Sequence, residues 1–370
     1  MPKEQSQRTR VKKQRRRRQY VPYVKGFQPS NRNQQIRALG YTDASAIPKE
    51  LSLEGFNPIK QCTSIDDWLA QYQEEGQSYD DYLQQCPWLS RRKCKYMTQR
   101  FVAHGTNLPE KYPDGKIYIV PLGDFSGGAQ EQLDALIEYT QIFLGLPVKQ
   151  MTNMQLEVKA NGIYFRHSQT DGKPRLEKLT GRSKEHKGDM KHQLCIVDGL
   201  RILKQYLPQD ALCMIALTQY DLYEARRDLF VAGMAAGNQR VAIFSLHRYN
   251  PNLKFSQEFW YDVSERKRVS ASQTKKLELQ RGCRLLVHEI SHLLGIGHCI
   301  YFDCCMNGSG HLQEDFNQPM HFCPVDLRKL QTLVGFDIHE RYRRLLQFYT
   351  KHSLTSDKQW VEQRLELLSR

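Results

Sequence analysis

The residues with the clearest chemistry lie in one eleven-residue stretch, His288 to His298, which follows the pattern HExxHxxGxxH. His288 and His292 are four residues apart, so on a helix both imidazoles share one face and can bind one metal ion. Glu289 lies off that axis, where its carboxylate can accept a proton from a metal-bound water. Gly295 can adopt the left-handed conformation that turns the chain, which would bring His298 back as a third ligand.

Three histidine ligands leave one position of a four-coordinate zinc ion open, which is typical of catalytic and not of structural zinc. The alternative is a surface helix in which HExxH occurs by chance and binds nothing. The correctly spaced glycine and third histidine favour catalytic zinc, because the long motif is typical of metzincins. Met306 lies eight residues beyond His298. A methionine turn lies under the zinc of metzincins, although a lone methionine can equally fill a gap in a core.

A group of cysteines begins directly after the third histidine. The order of Cys299, Cys304, Met306 and the pair Cys323-Pro324 after the histidine motif resembles the archaemetzincin family. The resemblance covers roughly two-thirds of the chain. Its other matching stretches are residues 117–123, 211–215, 221–223, 241–249, 326–331 and 334–342.

The resemblance implies a zinc-dependent metallopeptidase that acts on a peptide or protein, with His288, His292 and His298 as zinc ligands and Glu289 as general base and then acid. It further implies aminopeptidase-type or otherwise narrow activity, and no motif here decides between end-trimming and internal cleavage. The fold implied is of the α+β class. It has a metzincin-like catalytic domain with a twisted mixed sheet and an edge strand, an active-site helix, and a smaller C-terminal subdomain that carries a second, structural zinc.

The second zinc site departs from the family pattern at one position. Asp326 stands where the family has its last cysteine, so the predicted ligands are Cys299, Cys304, Cys323 and Asp326. Three thiolates and one carboxylate are not among the common structural combinations. Three other residues could complete the set instead: Cys305, His311 and His321. The cysteines could also be reduced, buried thiols that bind no metal.

Two other functional classes are open. In the first, the zinc site only folds the domain or captures a peptide without cutting it, but Glu289 weighs against this because a binding protein needs no carboxylate there. In the second, the protein is an enzyme acting on nucleic acid. Outside the N-terminus, however, neither basic residues interleaved with aromatic ones nor the motif order of zinc deaminases occurs.

The charge of the chain is uneven. Of the net charge of +14, residues 1–18 contribute +8, from nine lysines and arginines against Glu4, which leaves +6 for the other 352 residues. A short basic tail on an ordinary domain favours nuclear import or weak contact with nucleic acid, and its alternative is a solvated disordered arm.

The ten cysteines indicate an intracellular protein, cytoplasmic or nuclear. Several of them, including Cys195, Cys213 and Cys283, lie in apolar stretches that suit reduced thiols better than a secreted disulfide framework. The polar N-terminus lacks the apolar region of a signal peptide, and no apolar stretch approaches the length of a membrane span. We therefore expect neither secretion nor membrane insertion.

The elements that must position the chemistry fall into four predicted segments. They are a disordered basic arm (residues 1–45), a small helical segment (46–112), the zinc peptidase domain (113–352) and a C-terminal helix (353–370). Strands are predicted over residues 117–121, 212–217 and 241–246, and a mobile charged loop over 172–189. Helices are predicted over residues 64–72 with Ser64 as N-cap, 79–86, 130–143, 193–207, 274–294, 328–349 and 356–368.

The strand over residues 241–246 is predicted to be the edge of the sheet above the cleft. An extended peptide could add to such an edge as one more strand, beside the open zinc position. The alternative is an edge strand that only ends the sheet.

Overall fold

The computed structural model describes residues 27–95, 97–168, 174–266 and 269–370. It has the predicted α+β class, with four sheets among the described residues. The strands are β1 Lys116–Leu122, β2 Val148–Gln150, β3 Gln155–Lys159, β4 Gly162–Ser168, β5 Pro174–Leu179, β6 Gly181–His186, β7 Asp189–Cys195, β8 Ala211–Thr218, β9 Asp221–Tyr223, β10 Gly233–Ala236, β11 Val241–Ser245, β12 Leu253–Phe255 and β13 Val263–Glu265. The α-helices are α1 Arg32–Ala38, α2 Trp68–Gln71, α3 Tyr79–Gln85, α4 Leu108–Lys111, α5 Gly128–Leu144, α6 Ile196–Leu203, α7 Ala271–Leu293, α8 Leu312–Asn317, α9 Pro324–Val334, α10 Ile338–Lys351 and α11 Thr355–Ser369.

The central sheet has the strand order β10-β11-β8-β1-β2, and all its pairings are parallel except that of β10 with β11. Its strands β8 and β11 are buried along their whole length. Both faces are covered, as expected for continuous apolar runs in a parallel sheet. Ile117 and Ile119 of β1 pack on the face that carries α7, whereas Tyr118 and Val120 pack on the opposite face with α6.

The edge of this sheet is β10 and not β11, so the prediction of an edge strand at residues 241–246 is wrong. β11 lies between β8 and β10, and Ala242 pairs with Ile215 on one side and with Ala235 on the other. The edge strand was missed because the sequence Gly-Met-Ala-Ala of β10 has neither the β-branched residues nor the alternation typical of a strand.

The active-site helix α7 spans 23 residues and begins at the N-cap Ser270, whose side chain accepts a hydrogen bond from the Gln273 N–H. It starts three residues before the predicted position. Helix α5 packs against it, and the approach is close: a Cβ on Gly282 would lie 3.1 Å from Leu136. α5 agrees with its prediction and ends at Gly145, which has a left-handed φ of 69°.

The predicted mobile loop at residues 172–189 is wrong for the described part of that range. β5, β6 and the first residue of β7 occupy it. β5 pairs antiparallel with β4, and β6 pairs antiparallel with β7, which in turn pairs in parallel with β9. Charged side chains predicted a loop there, but these strands are largely exposed on one face and tolerate charge. The helix predicted over residues 193–207 begins only at Ile196, because Gln193 to Cys195 complete β7.

The N-terminal elements are more ordered than predicted. The prediction of disorder over residues 1–45 is wrong for the C-terminal part of that range, because α1 forms there. This helix has a capping box at Asn31 and buries Ile36. Residues 1–26 lie outside the described part of the chain. Helix α2 covers only Trp68–Gln71, and Ser64 is not its N-cap. The Asp67 carboxylate accepts the N–H groups of residues 63 and 64 instead, which holds them in a turn. Helix α3 agrees with its prediction.

The C-terminal region consists of α8 to α11. The single helix predicted over residues 328–349 is two helices, α9 and α10, because Gly335 adopts a φ of 84° and ends α9. The predicted last helix is present as α11. Among the described residues no helix is both long and apolar enough to cross a membrane. The division of the chain into four segments remains a prediction.

Candidate metal centres and active site

The structure brings the three motif histidines together at the end of α7. One ligand atom from each of His288, His292 and His298 lies within 4.8 Å of the others. His288 and His292 project from the last two turns of the helix, and Gly295, with a φ of 88°, then turns the chain so that His298 returns to them. All three imidazoles are half-buried, so the centre is open to solvent on one side.

Each imidazole is oriented by a hydrogen bond from its Nδ1. Nδ1 of His288 lies 2.7 Å from the Cys305 carbonyl oxygen, and Nδ1 of His292 lies 2.8 Å from the Ile296 carbonyl oxygen. Nδ1 of His298 lies 2.7 Å from the Glu74 carboxylate. A carbonyl or carboxylate oxygen only accepts, so Nδ1 carries the proton in all three rings and Nε2 is left as the ligand atom.

These residues fit a zinc ion. The Nε2 atoms of His288 and His292 lie 3.0 Å apart. With both ring protons on Nδ1, two lone pairs face each other at that distance, which is repulsive unless a cation or a proton lies between them. Burial, followed by the neighbouring His298, lowers the pKa of His292 to about 4, so a proton is held weakly there. The donor set of three neutral imidazoles with one open side is that of catalytic zinc.

Glu289 follows the first ligand and is half-buried beside the centre. Burial, with a smaller contribution from the charge of Asp315, raises the pKa of its carboxyl to about 8. Asp315 accepts a hydrogen bond of 2.6 Å from the hydroxyl of Tyr249. A cation at the three imidazoles would favour the ionised Glu289 carboxylate, which is the form that accepts a proton.

Met306 is fully buried in the turn that follows the third ligand. Its carbonyl accepts the Cys299 N–H at 2.8 Å, and its own N–H lies 3.4 Å from the Cys304 Sγ. The methionine therefore joins the loop of His298 to the cysteine site. Its role as a methionine turn remains a prediction.

The cysteine site is also assembled by the structure, and Asp326 is part of it. Cys299, Cys304, Cys323 and Asp326 are fully buried and offer ligand atoms within 4.8 Å of one another. The Asp326 Oδ2 lies 3.2 Å from the Cys304 Sγ and 3.5 Å from the Cys323 Sγ. Burial raises the pKa of the Cys299 thiol, but contacts with Cys304 and Cys323 and the charge of Lys329 outweigh it and lower that pKa well below its usual value. A lowered pKa favours the thiolate, which is the form of cysteine that binds metal.

The three alternative fourth ligands lie elsewhere. The Cys305 Sγ lies 4.0 Å from the Arg284 carbonyl, and His321 stacks on Trp360 with ring centroids 3.7 Å apart. His311 donates to Asp67 at 3.0 Å. Asp326 is therefore the residue that the geometry offers as fourth ligand.

Another metal-like group, Asp67, His311 and Glu314, is satisfied by the chain itself. Besides His311, Asp67 accepts two backbone N–H groups, and Glu314 accepts the N–H groups of Trp68 and Gly310. The Glu314 N–H donates to His311 Nδ1 at 3.2 Å. The trio attaches residues 67–88, called the N-terminal segment below, to α8, and each of its potential ligand atoms already takes part in one of these hydrogen bonds.

The N-terminal segment supplies contacts to the active site that sequence reasoning missed. Glu74 holds His298, and Gln77 bonds to the backbone of Gly295 and Gly297. No sequence signal identifies these two residues, because they lie in the polar stretch QYQEEGQ, which has no motif spacing.

Comparison with known proteins supports the resemblance. A sequence model of peptidase family M54 matches residues 200–332. Human archaemetzincin-2 is 29% identical over 334 residues, which cover 85% of this chain and 82% of that protein. Archaemetzincin-2 of Pongo abelii is 36% identical over 167 residues, 42% of this chain and 46% of that protein. Human archaemetzincin-1 is 32% identical over 159 residues, 40% of this chain and 32% of that protein.

Two solved structures also match. A zinc-dependent peptidase from Methanocorpusculum labreanum has a TM-score of 0.38 and 20% identity, covering 58% of this chain and 99% of its own. Archaemetzincin from Methanopyrus kandleri has a TM-score of 0.39 and 20% identity, covering 63% of this chain and 98% of its own.

Proposed function

Because the chain belongs to the archaemetzincins, peptidase family M54, and is thus a zinc metallopeptidase, we propose that it hydrolyses peptide bonds at the centre formed by His288, His292 and His298. Glu289 is the proposed general base and acid. The observation that carries the proposal is the orientation of the three imidazoles, each with its Nδ1 proton bound and its Nε2 turned to a common point.

The chemistry of a bound zinc ion at this centre would be to polarise the scissile carbonyl and to lower the pKa of a water to about 7. Glu289 accepts the proton of the attacking water and then gives it to the leaving amine, so one carboxylate serves both steps. Asp315 and Tyr249 lie near Glu289 and are hydrogen-bonded to each other. The carbonyl groups of Cys305 and Ile296 keep the two helical imidazoles fixed during the reaction.

The substrate is proposed to bind as an extra strand on β10. Ser245 donates its N–H to the Ala232 carbonyl, so residues 232, 234 and 236 point their backbone groups toward β11 and residues 233 and 235 point theirs outward. An extended peptide could pair with the outward groups of Gly233 and Ala235. This assigns to β10 the role that the sequence suggested for residues 241–246.

A second zinc is proposed at the cysteine site, where it would be structural. Four buried donor atoms surround one point there, and a closed set of four is typical of structural zinc. The chain would then hold one catalytic and one structural ion.

The test is hydrolysis of a mixed peptide library by the purified protein, with and without a chelator. Glu289→Ala should retain zinc and lose turnover by at least about a hundredfold, the usual range for a general base. His292→Ala should lose both turnover and one zinc. Glu278→Gln, at another half-buried carboxylate of α7, is the control. Wild-type turnover by Glu289→Ala would show that the mechanism is wrong.

Comparison of free and N-terminally blocked peptides in the same library distinguishes aminopeptidase from internal cleavage. An aminopeptidase should act only on the free ones. Zinc binding without hydrolysis of any peptide would favour a non-catalytic peptide-binding protein.

A further inference from the structure

We propose that the N-terminal segment completes the catalytic centre, with Glu74 as the residue that positions the third ligand, His298. The inference rests on the proposed function, because it assigns His298 to the metal. It adds a part to the centre that lies more than two hundred residues away in sequence.

The contact between Glu74 and His298 is short and largely shielded. The Glu74 Oε1 lies 2.7 Å from the His298 Nδ1, and the side chains are 20% and 22% exposed. A carboxylate that accepts from a ligand imidazole fixes the ring and increases the basicity of its other nitrogen.

His298 needs this partner more than the other ligands do. His288 and His292 are carried by a helix, and each donates to a backbone carbonyl of the loop that follows. His298 lies in that loop itself and has no helix to hold it. The ring of Trp68 contacts it edge-on at a centroid distance of 5.3 Å, which limits its rotation from the other side.

Gln77 holds the loop that carries His298. Its side-chain amide donates to the Gly295 carbonyl at 3.1 Å and accepts the Gly297 N–H at 2.9 Å. One side chain therefore satisfies two backbone groups on either side of Ile296, whose carbonyl holds His292. The loop is fixed between its second and third ligands by a residue outside the motif.

The same segment also caps the C-terminal end of α7. The Trp88 Nε1 donates to the Leu293 carbonyl at 2.9 Å, and the Tyr82 hydroxyl donates to the Leu294 carbonyl at 3.4 Å. Carbonyls at the end of a helix have no partner within it, and buried ones must find one elsewhere. The N-terminal segment provides these partners within one turn of His292.

The experiment measures zinc affinity at the histidine site by chelator competition. The ion at that site is identified as the one that His292→Ala loses. The kcat and KM are measured with the peptide that wild type cleaves fastest. Glu74→Ala should lower the affinity for that zinc ion by about 10- to 100-fold, which is the usual effect of losing a hydrogen-bond partner of a ligand. It should also lower kcat more than it changes KM. Glu74→Gln, which keeps an acceptor without the charge, should recover part of the loss. Glu75→Ala, at an exposed neighbouring carboxylate, should match wild type.

Melting in the presence of excess chelator separates positioning from a merely structural role. The metal-free Glu74→Ala protein should melt at the wild-type temperature, and only the stabilisation by added zinc should shrink. Wild-type zinc affinity in Glu74→Ala, or a loss of melting temperature that is equal with and without zinc, would overturn the inference. If His292→Ala retains every zinc ion, the proposed function fails first, independently of Glu74.

Discussion

The ammonium group of Lys329 lies 2.8 Å from the Asp326 carboxylate, and neither side chain is exposed to solvent. The two carboxylate oxygens have different partners. Oδ1 faces Lys329, and Oδ2 faces the thiols of Cys304 and Cys323. Asp326 therefore serves an ion pair and a cysteine site at once. This is the physical difference that the aspartate introduces at a position where the family has cysteine.

Removal of Asp326 should be costly even without metal. Asp326→Ala leaves Lys329 buried, with the Gln77 carbonyl as its remaining hydrogen-bond acceptor in the described part of the chain. Loss of one member of a buried pair costs about 3–5 kcal/mol of unfolding free energy. Denaturant unfolding with chelator present measures this cost. The double variant Asp326→Ala/Lys329→Met should recover much of it, and its failure to do so would show that Lys329 is not the cause.

Metal analysis after dialysis against a mild chelator tests Asp326 as a ligand. Asp326→Cys should retain more zinc than the unmodified protein, because a thiolate is a softer donor than a carboxylate. Two tightly held zinc ions per chain that Asp326→Ala does not disturb would contradict the assignment.

The edge strand β10 gives a prediction about substrate binding. Ala235→Pro removes an outward N–H without removing a hydrogen bond to β11, so KM should rise about tenfold, equivalent to about 1.4 kcal/mol, while zinc content stays constant. Ala235→Ser keeps the N–H and is the matched control. A proline variant with wild-type KM would exclude pairing of the substrate with this residue.

The protein is expected to lose stability in mild acid because of His247. Burial, which outweighs the favourable charge of Asp221, lowers its pKa, and the positive charges of Arg248 and Lys191 lower it further. Below pH about 6.5, His247 binds a proton in the unfolded chain but stays neutral in the folded chain. Stability from this residue is therefore complete above pH 6.5 and falls as the pH drops toward the folded pKa, by at most about 1.4 kcal/mol per pH unit.

The measurement is the unfolding free energy at pH 7.5 and pH 5.5. His247→Gln should lose less stability than wild type between the two values. His104→Gln, a change at an exposed histidine, controls for the removal of a histidine as such. An unchanged difference in His247→Gln would mean that His247 is not the group responsible.

The basic arm at residues 1–18 lies outside the described part of the chain and yields a prediction from charge alone. We propose that the protein is intracellular and that this arm directs it to the nucleus. Deletion of the arm should leave peptide turnover nearly unchanged and reduce the nuclear fraction of a fluorescently tagged protein. Unaltered localisation, or an inactive enzyme, would contradict this.

The sequence predicted what depends on local spacing. The positions of His288, His292 and Gly295 follow from helix geometry and a left-handed turn, and the structure places all three as expected. Glu74 could not be predicted, since its contact with His298 spans 224 residues and no pattern connects them. Strand β10 was missed because four small residues become a strand only through pairing with β11.

Gln77 has a consequence that reaches beyond its own loop. Its side chain holds Gly295 and Gly297 beside the histidine centre, while its carbonyl accepts a hydrogen bond from Lys329, the partner of Asp326. The two candidate metal sites thus share a continuous set of polar contacts through one residue. Thermodynamic linkage requires reciprocity: whatever factor an ion at the cysteines contributes to zinc affinity at the histidines, an ion at the histidines returns equally. We expect any such factor to act through Gln77, because its contacts reach both sites.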